Sequence, residues 1–221
     1  VNFQWNPQKN YWYPTRYSVE FPSFQASEYY PLTMGSEWTY ERSSGGTLTL
    51  SVTGAEMVCN IPCIRLDASD GSQTCWLSDN SGVYMTKYLF PEGYYNQWCP
   101  PLKIGPAQSY LGTNALNPFY DAEIGSAYGV FATMDGWSQF TVKGVEDVSV
   151  PAGVFLDCFR ATMIFSYTSS DGFSGVRIEE AWYAKGVGIV KRVNSQTSWL
   201  GGSVQSNSAE MYSLQSYSIA Q

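Results

Sequence analysis

Carboxylates are the side chains of this sequence best suited to acid–base chemistry, because the 221-residue chain contains no histidine. That absence excludes Ser-His-Asp and Cys-His nucleophilic sites, His-based zinc hydrolysis and c-type haem attachment. Glu179 and Glu180 are adjacent, so on a strand they face opposite sides, but either one could meet Glu146 or Asp147 across a sheet. Two facing carboxylates are what a glycosidase requires, whereas strand carboxylates usually lie on solvated faces. We therefore expect no enzyme, with a carboxylate-based glycosidase as the catalytic alternative.

Acidic loop residues are the candidates for metal binding. Asp67 and Asp70, joined by Asp79, and separately Asp171 with Ser169, offer oxygen ligands of the kind that calcium prefers. Their spacing does not match an EF-hand, and Asp-Gly turns also form for purely conformational reasons. The sequence therefore predicts no metal and no cofactor, with Asp67 and Asp70 as the residues to inspect for calcium.

Five cysteines leave one unpaired if disulfides form, and none of them belongs to a Cys-x-x-Cys motif. Cys75 and Cys99 bracket a hairpin-rich segment and are the first candidates for a disulfide. Cys59 with Cys63 is the second candidate pair. Without histidine, a zinc site would need cysteines or carboxylates alone.

Cys158 is predicted to be a buried free thiol. In a strand it alternates onto the same face as Val154 and Leu156. A cysteine on an apolar strand face behaves as a small hydrophobic residue. We therefore expect Cys158 to pack in the core.

Period-two alternation recurs along the chain, whereas helical periodicity is nearly absent. Leu48, Leu50 and Val52 alternate with serine and threonine, for example. Turn sequences rich in glycine separate such stretches, and they lie at 43–46, 68–71, 79–82, 151–153, 169–172 and 186–188. Asp135-Gly136 is predicted to form a further type I′ hairpin turn. The pattern indicates an all-β, antiparallel sheet that closes into a barrel or a sandwich.

Residues 1–27 differ from the rest because they contain three prolines but no glycine hairpin turn. Apolar residues alternate with polar ones in two stretches, at 1–6 and at 17–21, which indicates that each stretch buries one face. No turn in the sequence folds these two stretches onto each other. We predict an extended N-terminal arm at 1–27, followed by a single antiparallel β domain at 28–221. The residues of the arm expected to make contacts are Val1, Phe3, Trp5, Tyr11, Trp12, Tyr13, Tyr17, Val19 and Phe21.

Charge and composition restrict the partners and the compartment. A net charge of −7 argues against nucleic acid and against an anionic membrane surface. No apolar run approaches the roughly 20 residues of a transmembrane helix. Only 14 % of residues are charged, so the surface relies on neutral polar side chains, as in exported proteins. The start Val1-Asn2-Phe3 is typical of a mature end after signal-peptide removal, although a trimmed chain would look the same.

Four sequence phrases carry a resemblance to a known family. They are Tyr29-Tyr30-Pro31-Leu32-Thr33-Met34-Gly35 with Trp38-Thr39-Tyr40, Pro100-Pro101-Leu102-Lys103-Ile104-Gly105, residues 145–158 from Val145 to Cys158, and Trp182-Tyr183-Ala184-Lys185-Gly186-Val187-Gly188-Ile189-Val190-Lys191. In this order, over most of residues 28–221, the chain resembles a largely uncharacterised family of exported bacterial β proteins, often lipoproteins. The resemblance implies a partly closed antiparallel β architecture and export, and it brings no catalytic residues.

Two functional hypotheses follow. The first is a non-enzymatic extracellular or cell-surface structural protein that assembles with copies of itself as the subunit of a filament or fibre, the arm adding a strand to an open sheet edge of a neighbour. In that hypothesis Val1, Phe3 and Trp5 fill pockets on the partner, although the same arm could fold back on its own barrel. The alternative is an extracytoplasmic β-barrel that binds a lipid, a glycan or another apolar ligand.

Overall fold

The structure is a computed structural model that describes residues 2–6, 11–16 and 23–220, and nearly all of them lie in β-strands. One short helix, α1 (Ala26–Tyr29), interrupts the strands of this described chain. The strands are β1 (Asn2–Asn6), β2 (Tyr11–Arg16), β3 (Ser23–Gln25), β4 (Glu37–Arg42), β5 (Thr47–Val58), β6 (Ile61–Ala68), β7 (Gln73–Asp79), β8 (Gly82–Leu89), β9 (Tyr95–Pro106), β10 (Gln108–Tyr110), β11 (Asn114–Ser126), β12 (Gly129–Val150), β13 (Gly153–Ser169), β14 (Phe173–Ala184), β15 (Gly188–Leu200) and β16 (Ser203–Ser218).

Twelve antiparallel strands form a closed barrel, in the order β11-β12-β13-β14-β15-β16-β4-β5-β6-β7-β8-β9. The all-β prediction is confirmed, and of the two predicted architectures the barrel is the one that forms. Strand alternation positions the core as expected, since Leu48 and Val52 of β5 are buried while Thr47 and Thr53 are exposed. Inward residues of every strand therefore line a common lumen.

The barrel closes between β9 and β11 through a short ladder. Residues 95–97 of β9 pair with residues 123–125 of β11. Pro100 and Pro101 of β9 and Pro118 of β11 lie outside this ladder, which suits residues that have no backbone N–H to donate. Because this ladder is short, the rest of the contact between β9 and β11 depends on side-chain packing. The packed residues are Trp98, Leu102, Phe119 and Ala122.

One end of the lumen is covered by residues 23–32, which we call the plug segment. β3 pairs with β10, and the ring of Phe24 lies 4.7 Å from that of Phe159. Tyr30 contacts Tyr183 of β14 (ring centroids 5.4 Å apart) and Trp76 of β7 (6.3 Å). Because β14 and β7 belong to opposite sides of the barrel, Tyr30 bridges the lumen. Residues 23–27, assigned by the sequence to the arm, therefore pack on the barrel.

The N-terminal strands form a hairpin-like pair rather than a single extended strand. β1 pairs with β2 in antiparallel register, Trp5 opposite Trp12 and Gln4 opposite Tyr13. Residues 2–6 of the first alternating stretch thus pair with residues 11–16, which the sequence did not indicate as their partner, whereas the second alternating stretch at 17–21 lies outside the described residues. Of the residues predicted to make contacts from the arm, five lie in these two strands, where the structure describes their backbone pairing: Phe3, Trp5, Tyr11, Trp12 and Tyr13. The other four lie outside the described residues: Val1, Tyr17, Val19 and Phe21.

Asp135-Gly136 does not form the predicted hairpin turn, because β12 runs straight through it. At this point β11 carries a β-bulge, with Asp121 in the left-handed region (φ 52°), and the Asp121 amide donates to Asp135 Oδ1 at 2.8 Å. A Cβ on Gly136 would collide with the Ser166 carbonyl and lie 2.7 Å from the Phe119 ring. Within the sheet, Asp135 therefore accepts a hydrogen bond from the bulge of β11, and Gly136 leaves room for the Phe119 ring.

The disulfide joins Cys59 to Cys99, so both predicted pairings, Cys75 with Cys99 and Cys59 with Cys63, are wrong. Cys59 lies at the tip of the β5–β6 hairpin, and the bond brings this tip to β9 across β7 and β8. Cys63 and Cys75 are free and buried beneath the tip, packed with Val58. The sequence did not indicate that the tip of the β5–β6 hairpin reaches β9, three strands beyond β6.

Cys158 is a fully buried free thiol, as predicted, but not for the predicted reason. Val154 and Leu156 are 66 % and 68 % exposed, so they lie on the opposite side of the sheet from Cys158. A bulge at Asp157 (φ 53°), whose amide donates to Asp147 Oδ1 at 3.0 Å, reverses the alternation between them.

Candidate functional site

A cavity of about 350 Å³ occupies the lumen. It extends from Tyr30 and Leu32 of the plug segment toward the opposite rim, where Asp70, Ser72 and Glu210 line it. A second cavity of about 140 Å³ shares lining residues with the first, and they are Met85, Tyr88, Ile104, Met163, Arg177 and Gln196. A volume in this range suits a small organic molecule.

One wall of the cavity, formed by β14 to β16, is polar. Arg177 and Glu179 project inward from β14, and their side chains form an ion pair with a 3.0 Å contact. The Asn194 amide nitrogen donates to Glu179 Oε2 at 3.0 Å, and its oxygen accepts from Arg177 at 3.3 Å. Glu179 is only 7 % exposed, so this triad satisfies a carboxylate that burial would otherwise penalise.

Arg192 projects from β15 into the same cavity. Its guanidinium carbon lies 4.2 Å from the centre of the Tyr212 ring, within cation–π distance. Burial by itself would lower the pKa of Arg192, but Glu179, Tyr40 and Tyr212 raise it, and the pKa lies above its usual value. The guanidinium is therefore charged at neutral pH.

Buried tyrosines supply hydroxyl groups around Arg192. Tyr40 donates its hydroxyl to the Ile189 carbonyl at 2.9 Å, and Tyr30 donates to the Tyr183 hydroxyl at 3.0 Å. Burial raises the pKa of Tyr40, Tyr30 and Tyr183 above the ordinary tyrosine value. All three phenols are therefore neutral and act as hydrogen-bonding groups rather than as bases.

The facing wall, formed by β5 to β9, is mostly apolar. Leu50, Leu66, Trp76, Met85 and Ile104 line the cavity from successive strands. In the closed strand order β7 to β9 lie opposite β14–β16, whereas β5 and β6 follow β4 at the side of the barrel between them. The lumen thus presents charge and hydroxyl groups along β14–β16 and hydrocarbon side chains along β5–β9, with Asp70, Ser72, Gln73 and Thr74 adding polar groups where β6 turns into β7.

Glu210 forms a charged cluster at the rim. Its carboxylate accepts from the Ser44 amide at 2.9 Å and from the hydroxyls of Ser43 and Ser44, and it pairs with Arg42 at 3.1 Å. The backbone hydrogen bond from Ser44, followed by the bonds from the serine hydroxyls and Arg42, lowers the pKa of Glu210 to about 2. This carboxylate is ionised and already paired.

The carboxylates predicted for acid–base work are divided between the two faces of the sheet. Glu179 faces the lumen, whereas Glu180 and Glu146 both contact Arg160 on the outer face, at 3.5 Å and 3.6 Å. The Trp182 indole also donates to Glu146. Glu179 therefore does not face Glu146, and the pair that does approach shares an arginine rather than a proton.

The calcium candidates are held by protein groups. Asp67 accepts from Thr53 at 2.7 Å and pairs with Arg65, while Asp70 accepts from the amide and hydroxyl of Ser72. Across residues 23–220 and the two N-terminal strands, no three His, Cys, Asp or Glu side chains form a group that could hold a metal ion. No helix in those residues is long and apolar enough to cross a membrane.

Sequence reasoning did not find the polar wall. Arg177 and Glu179, and likewise Arg192 and Asn194, stand two residues apart, which places each pair on one strand face. The neighbouring residues Glu180 and Lys191 are charged as well, so neither strand shows which face points inward. The sequence shows this spacing, but which face of each strand points into the lumen depends on how the barrel closes.

No protein-family model matches the chain, and no curated protein matches it. Two solved structures are similar to it. A candidate lipoprotein from Parabacteroides distasonis ATCC 8503 is 11 % identical, with 86 % of this chain and 98 % of that chain covered and a TM-score of 0.35. A candidate exported protein with a YmcC-like fold from Bacteroides fragilis NCTC 9343 is 13 % identical over the same shares, with a TM-score of 0.33.

Proposed function

We propose that this protein is a non-enzymatic, extracytoplasmic barrel that binds a small amphipathic molecule in its lumen. The observation that carries the proposal is the cavity of about 350 Å³ with a polar and an apolar wall. Concave sites of this size with a few convergent polar groups are typical ligand sites. The Cys59–Cys99 disulfide supports the compartment, because such bonds persist in oxidising surroundings.

Binding without catalysis is favoured by the state of the ionisable groups in the lumen. Glu179 is paired with Arg177, Glu210 is paired with Arg42, Asp70 accepts two hydrogen bonds from Ser72, and the buried tyrosines are neutral. A general base needs a free basic group near the operating pH. The proposal is therefore that these groups orient a ligand and leave its bonds intact.

A matched pair of variants on β5 tests the proposal. Leu50→Trp fills the lumen, whereas Thr49→Trp places the same side chain on the outer face of the same strand. We expect an apolar fluorescent probe to bind the unaltered protein and the Thr49→Trp variant, and to lose affinity at least about tenfold for Leu50→Trp. Equal probe binding by both variants would contradict binding in the lumen.

Self-association is a second candidate function. It is favoured by β1 and β2, which pair only with each other in the described chain and so leave two open edges. An isolated two-stranded sheet is marginally stable in water and gains from a further strand. The twelve strands of the closed barrel offer no comparable edge, so we propose that an assembly contact would form at the N-terminal pair. Sedimentation of the chain with and without residues 1–22 tests this, and a monomer at high concentration in both cases would contradict it.

A further inference from the structure

Arg192 has no direct ion-pair partner in the lumen as the structure describes it, unlike the other arginines around the cavity. Arg177 pairs with Glu179, and Arg42 pairs with Glu210, so each of these pairs is neutral. Among the described residues, no carboxylate lies within the 4.0 Å ion-pair distance of Arg192. Arg192 is therefore the cationic side chain of the described cavity lining that has no direct carboxylate partner, whereas Asp70, the remaining carboxylate of the lining, lies at the rim and accepts from Ser72.

Glu179 favours the charged form of Arg192 from beyond ion-pair distance, but the guanidinium has no bidentate carboxylate partner in the residues that the structure describes. The Tyr212 ring compensates only in part, since a cation–π contact is weaker than a bidentate ion pair. The hydroxyl of Tyr183 accepts from Tyr30 and, in the described chain, donates its own proton to no acceptor. The N–H groups of the Arg192 guanidinium and the Tyr183 hydroxyl are therefore available to donate hydrogen bonds to a ligand in the cavity.

The rest of the cavity selects a hydrocarbon group. Met85 of β8 faces the polar wall from across the lumen, and Leu50 of β5 and Leu66 of β6 line the cavity between the two sides. A molecule that reaches both walls must have a charged end and an apolar body. A single negative charge matches the one guanidinium in the described part of the lumen that has no ion-pair partner, whereas a phosphate monoester at neutral pH carries about −1.5 to −2.

We infer that the lumen binds a monoanionic amphiphile, a carboxylate on a medium-length hydrocarbon chain, with its headgroup on Arg192. The inference rests on the proposed function and adds the chemical class of the ligand. The planar guanidinium offers two parallel N–H groups to the two carboxylate oxygens. The chain then lies along the leucine and methionine side chains of β5, β6 and β8.

Calorimetric titration with four probes of equal chain length tests the inference, and the probes are decanoate, decanol, decyl phosphate and decyltrimethylammonium. The unaltered protein should bind decanoate about 10–100-fold more tightly than decanol, the range expected for a charge-assisted hydrogen-bonded pair. Arg192→Gln should bring the two affinities to within about twofold while decanol binding is retained. Arg192→Lys should keep part of the preference, because it retains the charge without the fork.

Arg160→Gln is the matched control, because Arg160 lies on the outer face and should leave the preference unchanged. Equal binding of decanoate and decanol by the unaltered protein would overturn the inference and leave the proposed function standing. Tighter binding of decyl phosphate than of decanoate would overturn the monoanion assignment. If no probe binds, and Leu50→Trp behaves like the unaltered protein, the proposed function itself fails.

Discussion

The guanidinium carbon of Arg192 and the ring of Tyr212 lie 4.2 Å apart on neighbouring strands of the lumen wall. Arg192 and Tyr212 are also cross-strand partners in the β15–β16 ladder. The ladder therefore fixes the ring beneath the cation, and Tyr212 acts as a positioning residue for Arg192.

Tyr212→Leu should weaken decanoate binding about two- to fivefold, because the cation–π contact that positions Arg192 is lost. Tyr212→Phe should bind decanoate as the unaltered protein does, since the ring is retained. Titration of both variants with decanoate and decanol checks this. A loss of the same size in Tyr212→Phe would show that the hydroxyl matters and not the ring.

Glu210→Gln should change the pH dependence of stability. The folded-state pKa of Glu210 is about 2, below its ordinary value of 4.5, so its contribution is present above pH 4.5 and is lost as the pH falls toward 2. After solvent screening we expect a loss of about 1 kcal/mol at neutral pH that disappears near pH 2. Thermal unfolding across this range measures it, with exposed Glu41→Gln as the control. A deficit that persists undiminished at pH 2 would contradict the ionic origin.

Gly136→Ala should destabilise the barrel by about 2–3 kcal/mol, because the added methyl group meets the Ser166 carbonyl and the Phe119 ring. Gly144→Ala is the matched control on the same strand, since a Cβ there meets nothing within 4 Å. Denaturant unfolding compares the two variants. Equal stability of both would mean that Phe119 does not pack over Gly136.

Cys59→Ser should lower the free energy of unfolding by about 2–4 kcal/mol, because the disulfide closes a long loop. Its separation of 40 residues joins the β5–β6 hairpin tip to β9. Alkylation of the denatured, unreduced protein should label Cys63, Cys75 and Cys158 and spare Cys59 and Cys99. Labelling of Cys99 would contradict the assigned bond.

Most of the barrel could be predicted from local patterns. Alternation such as that of Leu48, Leu50 and Val52, and the glycine turn at 43–46, depend on neighbours in sequence, and the structure has the strands they indicate. The turn prediction for Asp135-Gly136 was wrong because the same two residues also suit a strand that lies opposite a bulge at Asp121. Whether an Asp-Gly pair turns the chain or continues it depends on the partner strand.

The candidate site could not be predicted, because it depends on contacts between distant strands. Arg177, Arg192 and Tyr212 are ordinary strand residues until closure of β16 onto β4 directs one face of each strand inward. The Cys59–Cys99 bond is similar, since it depends on a hairpin tip that crosses two strands. Likewise, the bulge at Asp157 reversed the face that simple alternation assigned to Cys158.

A crystal structure of the protein with 10-bromodecanoate tests ligand binding in the lumen most directly, because the anomalous signal of bromine locates the end of the chain. We predict a bromine peak inside the barrel near Leu50, Leu66 and Met85, with the carboxylate on Arg192. A bromine peak outside the barrel, or a carboxylate directed away from Arg192, would contradict the proposed site.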